Sequence, residues 1–106
     1  LAMMKPGAYL INNARGPVVD EQALYDALKT GHIAGAALDV FAAEPTPADN
    51  PLLGLNNVVV APHISSASTA TREKMSQMVA ANLTDFFAGK KPPHLLNPEA
   101  FHRAVQ

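Results

Sequence analysis

The stretch IAGAALDVF, residues 33–41, decides the fold of this chain. Its small and apolar residues run continuously instead of alternating with polar ones, which is typical of a central strand covered on both faces of a parallel sheet. Asp39 interrupts the run near its carboxyl end. The stretch therefore predicts a central parallel strand that leaves a carboxylate at the edge of the sheet.

The residues before this stretch predict a first strand followed by a helix. AYLINNA, residues 8–14, is a short apolar run that ends in polar residues, as a buried strand does. Asp20 is a suitable N-cap for the helix, and Gly31 is suited to end it. The residues at helical spacing on its apolar face are Ala23, Leu24, Ala27 and Leu28. A strand, a helix and a further strand in this order predict an α/β fold.

The residues after the central stretch predict a loop and a third strand. Residues 42–57 are rich in proline, so we expect them to be largely irregular. NVVVAPH, residues 57–63, is a β-branched run closed by the Ala61-Pro62 step. The step leaves His63 just outside the strand.

A long helix is predicted next. SSAST, residues 65–69, offers N-caps for a helix from about residue 68 to 88. We interpret its apolar stripe as a packing surface, formed by Met75, Met78, Val79, Leu83, Phe86 and Phe87. Residues 91–106 are expected to be mostly irregular, with at most one short helix after Asn97. We therefore assign residues 1–90 to an α/β domain and residues 91–106 to a tail.

The composition limits the classes of function. With 48% hydrophobic and 16% charged residues, the 106-residue chain is expected to form one globular domain. A net charge of −1 without a basic cluster argues against nucleic acid as a partner. The chain has no cysteine and its histidines are not spaced as metal ligands, so no metal site is predicted. No apolar run approaches a membrane span and no secretory signal is recognisable, so we expect no membrane partner and a cytoplasmic location.

Polar side chains follow all three predicted strands. The strands end near Arg15, near Asp39 and Glu44, and near His63. In a parallel sheet these ends meet at one edge, where α/β proteins bind ligands. A histidine beside a carboxylate is a general acid and base, and an arginine can hold a planar carboxylate by two hydrogen bonds. This set would suit the reduction of a small 2-oxo acid.

Each of these residues also has a structural interpretation. Arg15 at a strand end can be a surface salt-bridge partner, and Asp39 can be a capping or buried structural carboxylate. Glu44 before a proline can be a solvated loop residue, and His63 can simply bind a neighbouring loop. Spacing alone leaves both interpretations open.

A family resemblance favours the functional interpretation. MKPGAYLINNARGPVVDEQALYDALKTGHIAGAALDVFAAEP followed by NNVVVAPHISSAS resembles the later part of the nucleotide-binding domain of D-isomer-specific 2-hydroxyacid dehydrogenases. The resemblance covers residues 1 to about 90, and within the family it is strongest to glyoxylate and hydroxypyruvate reductases. It implies the later half of a Rossmann-type doubly wound parallel sheet, NAD or NADP as cofactor, and reduction of small 2-oxo acids to D-2-hydroxy acids.

The resemblance also implies three catalytic residues. Arg15, in NARG, would bind the substrate carboxylate and polarise the 2-oxo group. His63, in APHI, would give a proton to the carbonyl oxygen and take it back in the oxidation direction. Glu44, in AAEP, would hydrogen-bond His63 and favour its protonated form. A glutamate at position 44 also argues against formate dehydrogenases, which are expected to carry glutamine there.

Further residues are implied at the nicotinamide end of the cofactor. Asp39, in ALDVF, would contact the carboxamide. The ring would be lined by Asn13, Ala14, Arg15, His63, Ser65 and Ser66. Family members usually carry glycine directly after PHI, where this chain has Ser65. If the backbone there needs a positive φ or a close approach to the nicotinamide, cofactor binding is expected to weaken.

A dinucleotide also needs a glycine-rich turn against its pyrophosphate, and this sequence contains no GxGxxG. We therefore expect the chain to be a carboxyl-terminal part of a longer dehydrogenase, inactive alone and prone to associate, with a homodimer as the expected oligomer. Two other functions stay open. One is a nucleotide-sensing corepressor of the same fold, and the other is an interaction module without catalysis.

Overall fold

A computed structural model describes residues 1–104 of the chain. The chain divides into two compact units, of which the first is Leu1–Ser65 and the second begins at Ser66. The first unit contains a sheet, one α-helix and two short 3₁₀ turns, and the second contains two α-helices.

The first unit is built on a three-stranded parallel sheet. Its strands are β1 (Ala8–Asn12), β2 (Ile33–Leu38) and β3 (Val58–Val60), and they lie side by side in the order β1-β2-β3. This confirms the α/β class and the central place of the 33–41 stretch. The last residues of the three strands, Asn12, Leu38 and Val60, are paired in register. The segments after them therefore leave the sheet at one edge.

Helix α1 (Glu21–Lys29) covers one face of the sheet. The Asp20 side chain accepts a hydrogen bond from the Ala23 N–H at 3.0 Å, which confirms the predicted N-cap. Gly31 follows the helix with a φ of +74°, a conformation that favours glycine. Ala23 is exposed, contrary to the predicted apolar face. The buried arc is centred on Leu24, and Ala23 lies about 100° away from it around the helix.

The core lies between α1, the sheet and the segment after β2. Its largest buried side chains are Leu24, Leu28, Ile33, Leu38, Phe41 and Leu52. Leu52 is in a 3₁₀ turn, Pro51–Gly54, so the predicted loop between β2 and β3 includes one ordered turn that anchors it in the core. The opposite face of β2 is less covered than predicted. Its residue Ala37 is only half-buried, and the side chains registered beside it, Ile11 and Val59, are 75% and 72% exposed.

The second unit contains α2 (Thr69–Phe87) and α3 (Pro98–Ala104). Ser68 caps α2 by accepting a hydrogen bond from the Thr71 N–H at 3.2 Å, as the serine-rich stretch predicts. The α2 stripe, defined as the six apolar residues named above from Met75 to Phe87, is exposed at every position instead of packed. Within residues 1–104, no helix is both long and apolar enough to cross a membrane.

Candidate active site

A histidine and a carboxylate meet at the edge where the strands end. His63 Nδ1 lies 2.8 Å from Glu44 Oε2. Glu44 Oε1 accepts a second hydrogen bond from the Phe41 N–H at 3.0 Å. The hydrogen bond from His63 is the main cause that lowers the pKa of Glu44, followed by the Phe41 N–H, and the positive charge of Arg15 contributes further. Glu44 is therefore an ionised acceptor.

The ionisation of Glu44 determines which nitrogen of His63 carries the proton of their hydrogen bond. An ionised carboxylate can only accept, so Nδ1 of His63 must carry the proton of this hydrogen bond. Nε2 is then the nitrogen that exchanges a proton with a ligand. The His63 and Glu44 side chains are 43% and 37% exposed, so they form an accessible pair and contribute little to stability.

The backbone of His63 has an unusual conformation. Its φ is +56°, and no other non-glycine residue among residues 1–104 has a positive φ. This conformation costs a non-glycine residue about 1–3 kcal/mol and is found mainly where the surrounding structure enforces it. Ser65 does not have a positive φ, so that reason for weak cofactor binding does not apply. A close approach of the nicotinamide to Ser65 stays a prediction.

Asp39 holds the turn that contains His63. Its carbonyl oxygen accepts the His63 N–H at 2.9 Å. Its carboxylate oxygens accept the N–H groups of Ile64 and Ser65, each at 2.8 Å. The bond from Ile64 is the main cause that lowers the pKa of Asp39, and the bonds from Ser65 add to it, against a partial burial that raises it. Asp39 therefore acts as a structural carboxylate that binds the backbone of this turn, while a contact with nicotinamide stays a prediction.

Arg15 lies in the turn after β1, where a buried residue that the sequence reading missed supports it. The Asn12 side chain accepts the Ala14 N–H at 3.1 Å and donates to the Arg15 carbonyl at 3.0 Å. The next residue, Gly16, is so close to the backbone of Phe41 that a Cβ atom would overlap the Phe41 carbonyl. The turn therefore lies against the segment that leads to Glu44. The only signal for Asn12 in the sequence is a polar residue at the end of an apolar strand.

A cleft of about 570 Å³ surrounds the His63–Glu44 pair. Asp39 lines it together with Phe41, Pro45, Thr46, Ala61 and Pro62. The structure thus brings Asp39, Glu44 and His63 together, whereas the exposed Arg15 lies beside them and acts on Glu44 through its charge.

The remaining predicted contacts are less closely tied to the cleft. Asn13 and Ala14 are exposed in the turn after β1, and Asn13 borders a smaller groove of about 120 Å³. The backbone N–H of Ser65 donates to the Asp39 carboxylate, and Ser66 is the first residue of the second unit. Residues 1–104 contain no cluster of three or more histidine and carboxylate side chains that could hold a metal.

Comparison with known proteins relates this geometry to one family. Residues 1–65 match the family described as "D-isomer specific 2-hydroxyacid dehydrogenase, NAD binding domain". A glyoxylate reductase of Korarchaeum cryptofilum is 59% identical over 99 residues, which are 93% of this chain and 30% of the relative. Glyoxylate/hydroxypyruvate reductase B of Yersinia enterocolitica is 50% identical over 104 residues, which are 98% of this chain and 32% of the relative.

Solved structures agree with the sequence comparison. A D-isomer specific 2-hydroxyacid dehydrogenase from Xanthobacter autotrophicus, in complex with NADPH and MES, superposes with a TM-score of 0.77 at 43% identity over 94% of this chain and 40% of its own. An NADPH-dependent glyoxylate/hydroxypyruvate reductase from Sinorhizobium meliloti gives a TM-score of 0.68 at 49% identity over 79% of this chain and 26% of its own. The chain spans about 30% of the length of the curated relatives it matches. It belongs to the D-isomer specific 2-hydroxyacid dehydrogenase family.

Proposed function

We propose that this chain provides the proton-transfer group and the substrate anchor of an NAD(P)-dependent reductase that converts small 2-oxo acids, of the glyoxylate and hydroxypyruvate type, to D-2-hydroxy acids. The observation that carries the proposal is the His63–Glu44 pair, joined at 2.8 Å at the carboxyl edge of a parallel sheet. The names of the similar reductases support the substrate class.

His63 is the general acid of the reduction. Glu44 Oε2 accepts the hydrogen bond of Nδ1 at an N···O distance of 2.8 Å, so Nε2 gives its proton to the 2-oxo oxygen as the carbonyl carbon is reduced. In the oxidation direction Nε2 takes the proton from the hydroxyl group. The ionised Glu44 stabilises the imidazolium in both directions, because the charges of the two groups are opposite.

Arg15 is the anchor for the substrate carboxylate and polarises the 2-oxo group. Its guanidinium has five N–H donors, and within the described residues it makes one hydrogen bond, from Nη1 to the Ala14 carbonyl. The other donors are available to an anion. Asn12 holds the turn through the Arg15 carbonyl, so the backbone of the anchor is fixed before substrate binds.

The strand ends fit the nicotinamide end of NAD or NADP, which supplies hydride when bound. Each carboxylate oxygen of Asp39 accepts one backbone N–H, and the Ser65 hydroxyl also donates to this carboxylate. One acceptor position is then left for a further donor such as a carboxamide. Asn13 and Ala14 lie exposed in the turn after β1, and Ser65 and Ser66 would complete the contacts. We propose that residues outside this sequence hold the pyrophosphate, since the chain contains no GxGxxG.

We also propose that the active protein is a homodimer in the cytoplasm. The exposed α2 stripe supports association, because apolar surface that remains exposed in one protomer favours contact with another. Light scattering of the purified protein is expected to give twice the protomer mass, and a monomer at high concentration would contradict this.

Oxidation of NADH and NADPH with glyoxylate and with hydroxypyruvate tests the function. The assay uses the purified 106-residue chain and, in parallel, the complete dehydrogenase that we propose contains it. His63→Asn is expected to lower kcat of the complete enzyme by about 100-fold or more, while His94→Asn, at an exposed histidine, leaves it unchanged.

Turnover that survives in His63→Asn would remove His63 from the mechanism. Binding of NADH without turnover of any 2-oxo acid would instead favour the nucleotide-sensing function. We expect no turnover by the 106-residue chain alone, and activity of this chain would overturn the proposal that it needs residues outside its sequence.

A further inference from the structure

Glu21, the first residue of α1, connects the helix to the loop between β2 and β3. Its Oε1 accepts the Ala42 N–H at 2.6 Å, and its Oε2 accepts the Asn50 side-chain amide at 2.9 Å. Asn50 in turn accepts the Leu52 N–H at 3.0 Å, and Leu52 is completely buried. One carboxylate therefore ties both ends of segment 42–50 to the helix and the core.

The segment held in this way carries Glu44. It contains no helix or strand, and all its residues except Thr46 and Asn50 are exposed. The Asn50 N–H bonds to Pro47 within the segment itself. From outside, the segment is held by the bonds of Glu44 itself, by those between Asn50 and the following 3₁₀ turn, and by the two bonds of Glu21. The two bonds of Glu21 lie on either side of Glu44.

We propose that Glu21 is a positioning residue, which holds segment 42–50 so that the Glu44 carboxylate reaches His63. The inference rests on the proposed function. An acidic residue in the first turn of a helix is often explained by the helix dipole alone. Here the carboxylate instead binds two donors that lie 21 and 29 residues away in sequence.

The two contacts also explain why this position carries a glutamate. Both partners are N–H donors, so the side chain must offer two acceptors. Glutamine offers one acceptor and would bring its own N–H₂ group against one of the donors. A glutamine is therefore expected to keep part of the positioning, and an alanine is expected to keep none.

The test is Glu21→Ala in the complete dehydrogenase that we propose contains this chain. We expect kcat to fall by roughly 10- to 100-fold, since small displacements of catalytic groups have effects of this size, while KM for NAD(P)H stays close to wild type. The alkaline limb of the rate profile moves to lower pH, as it does in Glu44→Gln. The matched control is Asp26→Ala, which removes an exposed carboxylate of the same helix that contacts only the Gln22 side chain.

A double variant separates positioning from general stability. In a Glu44→Ala background, which leaves no carboxylate or amide to be positioned, Glu21→Ala is expected to lower kcat by less than about threefold, because coupled residues are not additive. An equal loss in both backgrounds, or an alkaline limb that stays in place, would overturn the inference. If Glu21→Ala does not fold, Glu21→Gln serves instead, with a smaller loss and the same dependence on Glu44.

A measurement without turnover keeps this inference separate from the proposed function. The carboxyl carbon of Glu44, followed by NMR in the 106-residue chain, reports the pKa that His63, Arg15 and the Phe41 N–H lower together. Glu21→Ala is expected to raise the pKa of Glu44 towards its ordinary value, and Asp26→Ala is not. An unchanged pKa contradicts the inference even if the enzyme is active, and a raised one supports it even if no 2-oxo acid is turned over.

Discussion

The turn after β3 and the turn after β1 carry His63 and Arg15, two residues of the proposed site, but they are held in different ways. Both the backbone and the side chain of His63 are fixed, because Asp39 binds the backbone of its turn and Glu44 binds its ring. Arg15 is fixed only through its backbone, by Asn12, while its guanidinium is exposed. The proposed proton-transfer group is therefore held in place by residues of this chain.

The difference follows from what each group must do. A general acid needs a defined proton and direction, which are costly to arrange during the reaction. An anion clamp can complete its geometry when the anion arrives, since the charge and the fork of donors are present beforehand. Changes at the His63 turn should therefore lower kcat and stability, and changes at Arg15 should raise KM.

The largest effect is expected for Asp39→Ala. The substitution leaves the N–H groups of Ile64 and Ser65 without their acceptors and removes the support of the left-handed His63. We expect a lower free energy of unfolding, measured as a lower midpoint of urea denaturation, and a loss of kcat in the complete enzyme. Asp49→Ala, at an exposed carboxylate of the same unit, is the control and should change neither.

The pH dependence of stability sharpens this prediction. The pKa of Asp39 is lower in the folded protein than its ordinary value, so its stabilising contribution is complete above that ordinary value. It is lost as the pH falls through the lowered pKa. The Asp39→Asn variant should lose less stability than wild type on acidification over this range. Parallel losses in the two proteins would contradict the assignment of Asp39 as an ionised clamp.

The same two turns show what the sequence could predict. The strand ends near Arg15, Asp39 and His63 follow from apolar runs and turn signals, and the motif resemblance predicted that Glu44 pairs with His63. The sequence could not show that both Asp39 oxygens bind backbone, because an aspartate after a strand has the same pattern whether it faces a ligand or a turn.

Contacts that join distant segments were missed for a related reason. Gly16 reads as an ordinary turn glycine, although the Phe41 carbonyl leaves no room for a side chain there. Glu21 reads as a helix-start acid, although its partners are Ala42 and Asn50. Local periodicity describes the faces of an element, and it carries no information about which loop crosses its end.

Arg15→Lys tests the other turn, with an intermediate effect. Lysine keeps the positive charge but loses the two parallel hydrogen bonds to a carboxylate. KM for glyoxylate and hydroxypyruvate should rise by about 10-fold, with a smaller change in kcat and none in the urea midpoint. Arg72→Lys, at an exposed arginine of α2, is the matched control. A change confined to kcat would show that Arg15 acts on the reaction and not as an anchor.

The smallest effect is expected for Glu44→Gln, which keeps the shape of the side chain and removes its charge. A glutamine can still accept the hydrogen bond from His63 Nδ1, although its amide group then faces the Phe41 N–H that Glu44 accepts. The ring keeps its partner, and KM changes little. The imidazole loses the negative charge beside it, and the high-pH loss of reductase activity should move to lower pH. The profile of kcat/KM between pH 5 and 10 measures this shift. An alkaline limb at the same pH as in wild type would mean that Glu44 orients the ring without favouring its protonation. The His63 turn would then differ from the Arg15 turn only in how firmly its side chain is held.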